Sequence, residues 1–165
     1  MYGKALEKEG DVSSGIDVWS KRTDQLVIDK WYKINACHKD NGEGLDYYKV
    51  TPGLGAGGIA PYANGKVVNG GNYTGYKIIQ NGPLSFQFQL TYDVSWSALN
   101  VTNIKEIKTI TLDAGSQLNK IEIQYTWDGT DTLTAAIGIN KRKDPGELYL
   151  NETSGVMSYW EPQHG

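Results

Sequence analysis

The chain has 165 residues, enough for one domain with a real core, and carries a formal net charge of −3 with a pI near 5.4. Its lysines and arginines are scattered rather than clustered, so nothing presents the positive field that a nucleic-acid binder needs. No apolar run reaches the length of a membrane span.

Tyr and Trp outnumber Phe, with 11 and 5 against 2. Both combine a flat apolar face with a polar edge, which suits a partly wet surface and matches a sugar ring. They are also ordinary residues of a half-exposed strand. Cys37 is the single cysteine, so no internal disulfide forms. It adjoins His38, but neighbours in an extended segment point to opposite faces, which argues against a Cys–His nucleophile pair and for a small apolar residue.

In chain order, MYGKALEKEG lacks the basic region, apolar core and cleavage site of a signal peptide. A strand-like run, Gly15 to Ser20, follows at once. This abrupt start leads us to expect a fragment of a larger domain, with a secretion leader upstream in the natural protein. Lys21 to Asp24 form a turn, and Gln25 to Asn35 is expected as a strand.

The stretch WYKINACHKDNGEGLDYYKVTPGLGAGGI (Trp31 to Ile59) is different. It packs His38, Asp40, Glu43 and Asp46 together, threads glycines between them and flanks them with aromatic rings. Long glycine-punctuated loops in compact sheet domains often carry function. PGLGAGG (Pro52 to Gly58) imitates a phosphate loop, yet no helix-forming run follows to hold a phosphate. Its glycines allow the backbone to approach a ligand or another strand closely.

Beyond Lys66 the chain reads as a meander. Asn64-Gly65 is a two-residue hairpin turn. Leu84 to Tyr92 alternates, with Leu84, Phe86, Phe88, Leu90 and Tyr92 on one side. Val101 to Leu112 and Leu118 to Trp127 follow; Ile107 breaks the phase of Ile104, Ile110 and Leu112, so a bulge is expected between them. Thr132 to Ile139 is more continuously apolar and is expected as a central strand, and two short strands close the chain. With no sustained 3.6-residue period and about ten strands, the expectation is an all-β antiparallel β-sandwich, one domain over residues 1–165. The chain stops just after an apolar strand, so we expect flanking strands to be missing and the uncovered edges to favour self-association.

SGIDVWSKR (Ser14 to Arg22), IDKWY (Ile28 to Tyr32), GEGLDYYKV (Gly42 to Val50), LDAGSQLNKIE (Leu112 to Glu122) and SYWEP (Ser158 to Pro162) together resemble an uncharacterised bacterial family, a domain of unknown function. The resemblance covers nearly the whole chain. It implies a secreted or periplasmic protein of polysaccharide-utilising bacteria, acting on acidic, uronate-containing glycans. The strand pattern is similar to the galactose-mutarotase-like supersandwich, which normally has more strands than this chain. The family's His-x-Asp-x-Gly-Glu-Gly-Leu-Asp pattern is matched by His38, Asp40, Gly42, Glu43, Gly44, Leu45 and Asp46.

Read as chemistry, an epimerase, lyase or hydrolase needs an acid and a base on either side of a ring. His38 and Glu43 form the natural pair, with Tyr48 as a further acid. Arg22 and Lys49 suit a uronate carboxylate, Trp31 and Tyr47 suit stacking, and Asp46 suits sugar hydroxyls. The alternative is a non-catalytic carbohydrate-binding or structural accessory domain in which Asp40-Asn41-Gly42 is turn chemistry and the acids are merely solvated or paired. Calcium held by Asp40, Asn41, Glu43 and Asp46 ranks third, since the spacing departs from the helix-loop-helix cation loop; otherwise no cofactor is expected. His164, at the chain end, carries no expectation of catalysis. The triplets at Asn72, Asn100 and Asn151 arise by chance often enough to carry no weight.

Overall fold

The computed structural model of the chain describes residues 3–34, 37–47, 50, 52–95, 101–130, 132–143 and 146–162. A 3-10 helix, Lys4–Glu9, precedes β1 (Trp19–Lys21), helix α1 (Ile28–Lys33) and β2 (Gly44–Asp46). Then follow β3 (Ala56–Ala63), β4 (Lys66–Val67), β5 (Gly75–Asn81) and β6 (Ser85–Val94). The last five strands are β7 (Val101–Asp113), β8 (Asn119–Gly129), β9 (Ala135–Ile139), β10 (Glu147–Asn151) and β11 (Val156–Trp160). The protein is all-β, and its strands pair antiparallel in sheets ordered β5-β6-β7-β8, β4-β3-β9, β1-β2 and β10-β11.

Alternation in β6 sets the core. Leu90, Tyr92 and Val94 share one face, and their partners on β7 are Lys108, Glu106 and Ile104. These residues, with Val101 and Ile110, are buried, and Val68 and Leu133 pack against the apolar ones from the flanks of the three-stranded sheet. The two larger sheets are thereby the two layers of the sandwich.

The expected bulge between Ile104 and Ile110 is not where the strand breaks. The β7–β8 register shifts between Thr102 and Lys105, where Asn103 has φ 50°. Ile107 lies in regular register opposite Thr91 and Gln124, on the outer face. The core phase of β7 continues through Glu106 and Lys108, so judging phase by apolarity alone misplaced the irregularity.

That buried pair ties the molecule together. Both residues are 1% exposed. The Lys108 ammonium donates to the Ser14 carbonyl (2.8 Å), lies 3.1 Å from Glu106 Oε1 and sits 4.6 Å from the Tyr92 ring centroid. Burial pulls the ammonium below the ordinary lysine value, and the Glu106 carboxylate pulls it back. Burial, reinforced by Glu106, pushes the Tyr92 and Tyr125 phenols above the ordinary tyrosine value, so both stay neutral.

The segment that receives Lys108 spans both layers. Ser13 N donates to Asn72 Oδ1 (2.8 Å) and Ser14 Oγ to Asn69 Oδ1 (2.6 Å). Two residues on, Ile16 N donates to the Leu54 carbonyl and the Ile16 carbonyl accepts from Ala56 N, at the start of β3. Gly55 has φ 65° there, and a Cβ would collide with the Ile16 backbone. The glycine-rich run therefore admits another backbone.

Three further expectations are corrected. Gln25 to Asn35 contains α1, not a strand; six residues are too few to show a helical period or to hold a helix alone, and burial of Trp31 stabilises it. In Gly15 to Ser20 only the end joins a strand, because Ile16 is occupied by an isolated bridge to Gly55. β9 is an edge strand beside β3, and Ile137 on it is exposed. The Asn64-Gly65 turn is found as expected, both residues having positive φ between paired Tyr62–Val67 and Ala63–Lys66.

Two predictions follow from the packing. Lys108→Met, which leaves Glu106 buried without its cation, is expected to lower unfolding free energy in urea by about 3–5 kcal/mol, and the double variant Glu106→Gln/Lys108→Met by less. Gly44 has φ 119° and would place a Cβ against the Ser20 carbonyl, whereas Gly42 has φ 86° and open space. Gly42→Ala is expected to lose about 1–2 kcal/mol from backbone conformation alone, and Gly44→Ala distinctly more, in the same unfolding assay.

Candidate functional site

The acidic loop between α1 and β2 folds around its own charges. Arg22 Nη2 donates to both Asp40 carboxylate oxygens (2.7 and 2.5 Å), and Arg22 N donates to the Glu43 carbonyl (2.7 Å). Asp40 Oδ1 also accepts from Gly42 N (2.8 Å), a turn of the Asx kind. From α1, Lys30 Nζ donates to both Glu43 oxygens (2.7 and 2.8 Å) and Trp31 Nε1 adds a third bond (3.3 Å). His38 Nδ1 lies 3.1 Å from the Asp46 carbonyl and 3.4 Å from Asp46 Oδ2, while Asp46 N donates to the Cys37 carbonyl (2.8 Å).

These contacts fix the chemistry open to each residue. The hydrogen bond from Lys30, then that from Trp31, holds the Glu43 carboxyl below the usual glutamate value, the opposite of what a general acid near neutrality requires. The Arg22 hydrogen bond does the same to Asp40. Arg22 spends one edge of its fork on Asp40. Trp31 is 0% exposed and stacks on Trp19 at 5.5 Å and 13°, so its face is closed to a ligand. The oxygen donors considered for calcium are turned to separate partners: Asp40 to Arg22, Glu43 to Lys30, Asp46 to His38. Among the described residues, no group of three or more His, Cys, Asp or Glu side chains converges. Tyr48, Lys49 and His164 lie outside the described residues.

Tyr47 is the exception. It is 44% exposed and leaves the loop to line a groove of about 910 Å³ between the β3–β9 edge and the end of β11. The same groove is lined by Tyr159, Trp160, Asn140, Ser158 and Glu161. Trp160 is 80% exposed. Asn140 is held by its N–H to the Gly55 carbonyl (2.9 Å), and its Oδ1 accepts from Leu54 N (3.1 Å). Glu161 Oε1 accepts from Arg142 Nη1 (2.7 Å), both side chains being mostly buried. The groove thus offers apolar rings, amide and hydroxyl groups, and a carboxylate whose charge is already balanced.

Of the expected site residues among those described, Tyr47 lines this groove, and His38, Glu43, Asp46, Arg22 and Trp31 are not among its lining. Reasoning from the sequence missed Asn140, Tyr159 and Trp160. The signal was present in Ser-Tyr-Trp-Glu-Pro, an aromatic pair beside a carboxylate, but β11 reads as a closing strand until its neighbours are known.

Among the described residues no helix is long and apolar enough to cross a membrane. The chain is similar to an uncharacterised protein of Formosa agariphila, P7, with 38% identity over 160 residues, 94% of this chain and 39% of that protein. It therefore spans well under half the length of this relative. No solved structure matches it. The family described as Domain of unknown function (DUF4861) matches residues 1–165, and the chain belongs to that family.

Proposed function

We infer that this chain is a carbohydrate-recognition domain whose groove at Tyr47, Tyr159 and Trp160 takes an oligosaccharide containing uronate units. The observation that carries the reading is the groove itself: exposed aromatic rings beside Asn140, Ser158 and Glu161 in one cavity of oligosaccharide size. Lys141, Arg142 and Lys143 follow Asn140 directly, and both lysines are exposed, which favours an acidic sugar at this rim. Recognition is favoured over catalysis because Glu43, the expected acid, is held ionised by Lys30 and Trp31. The reading carries with it a secreted or periplasmic location, a fold of the galactose-mutarotase supersandwich type, and sheet edges open to self-association.

A screen of acidic oligosaccharides, read for both binding and product, tests this. Saturable binding without product is expected. Trp160→Ala and Tyr47→Ala should each weaken it about tenfold, the effect of losing roughly 1.4 kcal/mol of stacking and area, while Glu43→Gln leaves it unchanged. Product formed by the parent chain and lost in Glu43→Gln would make the domain an enzyme with its acid in the loop. Absence of both binding and product would end the saccharide reading of the groove.

A further inference from the structure

A second cavity, of about 740 Å³ and with a more polar lining than the groove, lies where the β6-β7-β8 ladder ends. Asp93, Lys105 and Thr126 form one cross-strand row on the outer face of that sheet. The bulge between Thr102 and Lys105 then interrupts the ladder, with Asn103 at φ 50°. Bulges of this kind re-aim side chains, and here they bring groups from both faces to the rim of one cleft. Asn103 Nδ2 donates to Asp128 Oδ2 (2.7 Å), which orients the carboxylate. Trp127, 37% exposed, supplies the apolar wall.

We propose that this cleft is a binding site for a neutral, polyhydroxylated ring such as an uncharged sugar unit. An indole wall suits the C–H face of such a ring. Oriented carboxylates accept hydrogen bonds from adjacent hydroxyls, and Asn103 supplies an amide carbonyl beside them. The charge balance selects the class. Asp93 faces Lys105 directly in register, and that opposite-charge pair leaves Asp128 as the uncompensated charge of the lining. An anionic sugar is therefore disfavoured here, in contrast to the lysine-flanked groove. The site stands on its own residues and does not depend on the groove binding anything.

The test is a titration of the isotope-labelled chain, followed by amide and indole N–H chemical shifts. The probes are D-galactose, D-glucose, D-xylose and L-rhamnose methyl glycosides, with D-glucuronate as the charged control. At least one neutral glycoside is expected to shift Trp127, Asn103 and Asp128 saturably, with glucuronate at least about tenfold weaker from repulsion by Asp128. Trp127→Ala should abolish the response. Should that variant unfold, Asn103→Gly, which keeps the backbone angle and removes the amide, should weaken binding several-fold. No saturable shift with any neutral probe, or glucuronate binding as tightly as glucose, would overturn the proposal. Shifts confined to Tyr47 and Trp160 would do the same while leaving the groove reading intact, so the two fail separately.

Discussion

The ammonium of Lys108 meeting the Ser14 carbonyl is the contact on which the arrangement of layers depends. Lys108 belongs to the central strand pair of the four-stranded sheet. Ser14 belongs to a segment that, two residues later, hydrogen-bonds to Leu54 and Ala56 at the start of the other layer. A single buried cation thus joins the four-stranded sheet to a segment outside its ladder. Such a group is expensive to bury and is tolerated because every side of it is answered: a carbonyl, a carboxylate and an aromatic face. The cross-strand register makes this possible, because it sets Glu106 between Tyr92 and Tyr125 in one row and Lys108 beside Leu90 in the next.

The same pair explains where the sequence was legible and where it was not. Strands β6 and β8 could be read because apolar residues fall on alternate positions and the turns between strands carry Asn-Gly, Asp or Gly. Strand β7 could be read as a strand, but its phase could not, since Glu106 and Lys108 occupy inward positions and Ile107 an outward one. A buried ion pair is invisible to a count of apolar residues. Helix α1 was hidden for a different reason: six residues around Trp31 hold their shape through Trp19 and Glu43, contacts distant in sequence.

For the acidic loop, the cluster was visible and its use was not. His38, Asp40, Glu43 and Asp46 stand close together in sequence, as a catalytic set would. In three dimensions His38 and Asp46 face each other, whereas Asp40 and Glu43 turn to Arg22 and Lys30 from outside the cluster. Surface pairs of this type contribute little stability individually. What they accomplish here is placement: they fold the loop over α1 so that β2 can pair with β1 and Tyr47 emerges beside the groove.

Placement by paired charges has an electrostatic consequence for recognition. Once Arg22, Lys30 and Arg142 are answered by Asp40, Glu43 and Glu161, they project little field beyond their immediate contacts, which solvent and salt screen further. Selectivity then falls to the charges left at cavity rims. Beside the groove, the exposed Lys141 and Lys143 follow its lining residue Asn140 within three positions in the chain; at the polar cleft the remainder is Asp128. On the two proposed readings, a chain with a formal net charge of −3 offers two cavities of opposite preference, the first for acidic sugar units and the second for neutral ones. A heteropolysaccharide that alternates such units would engage both with gain in avidity only where its length matches the span between them.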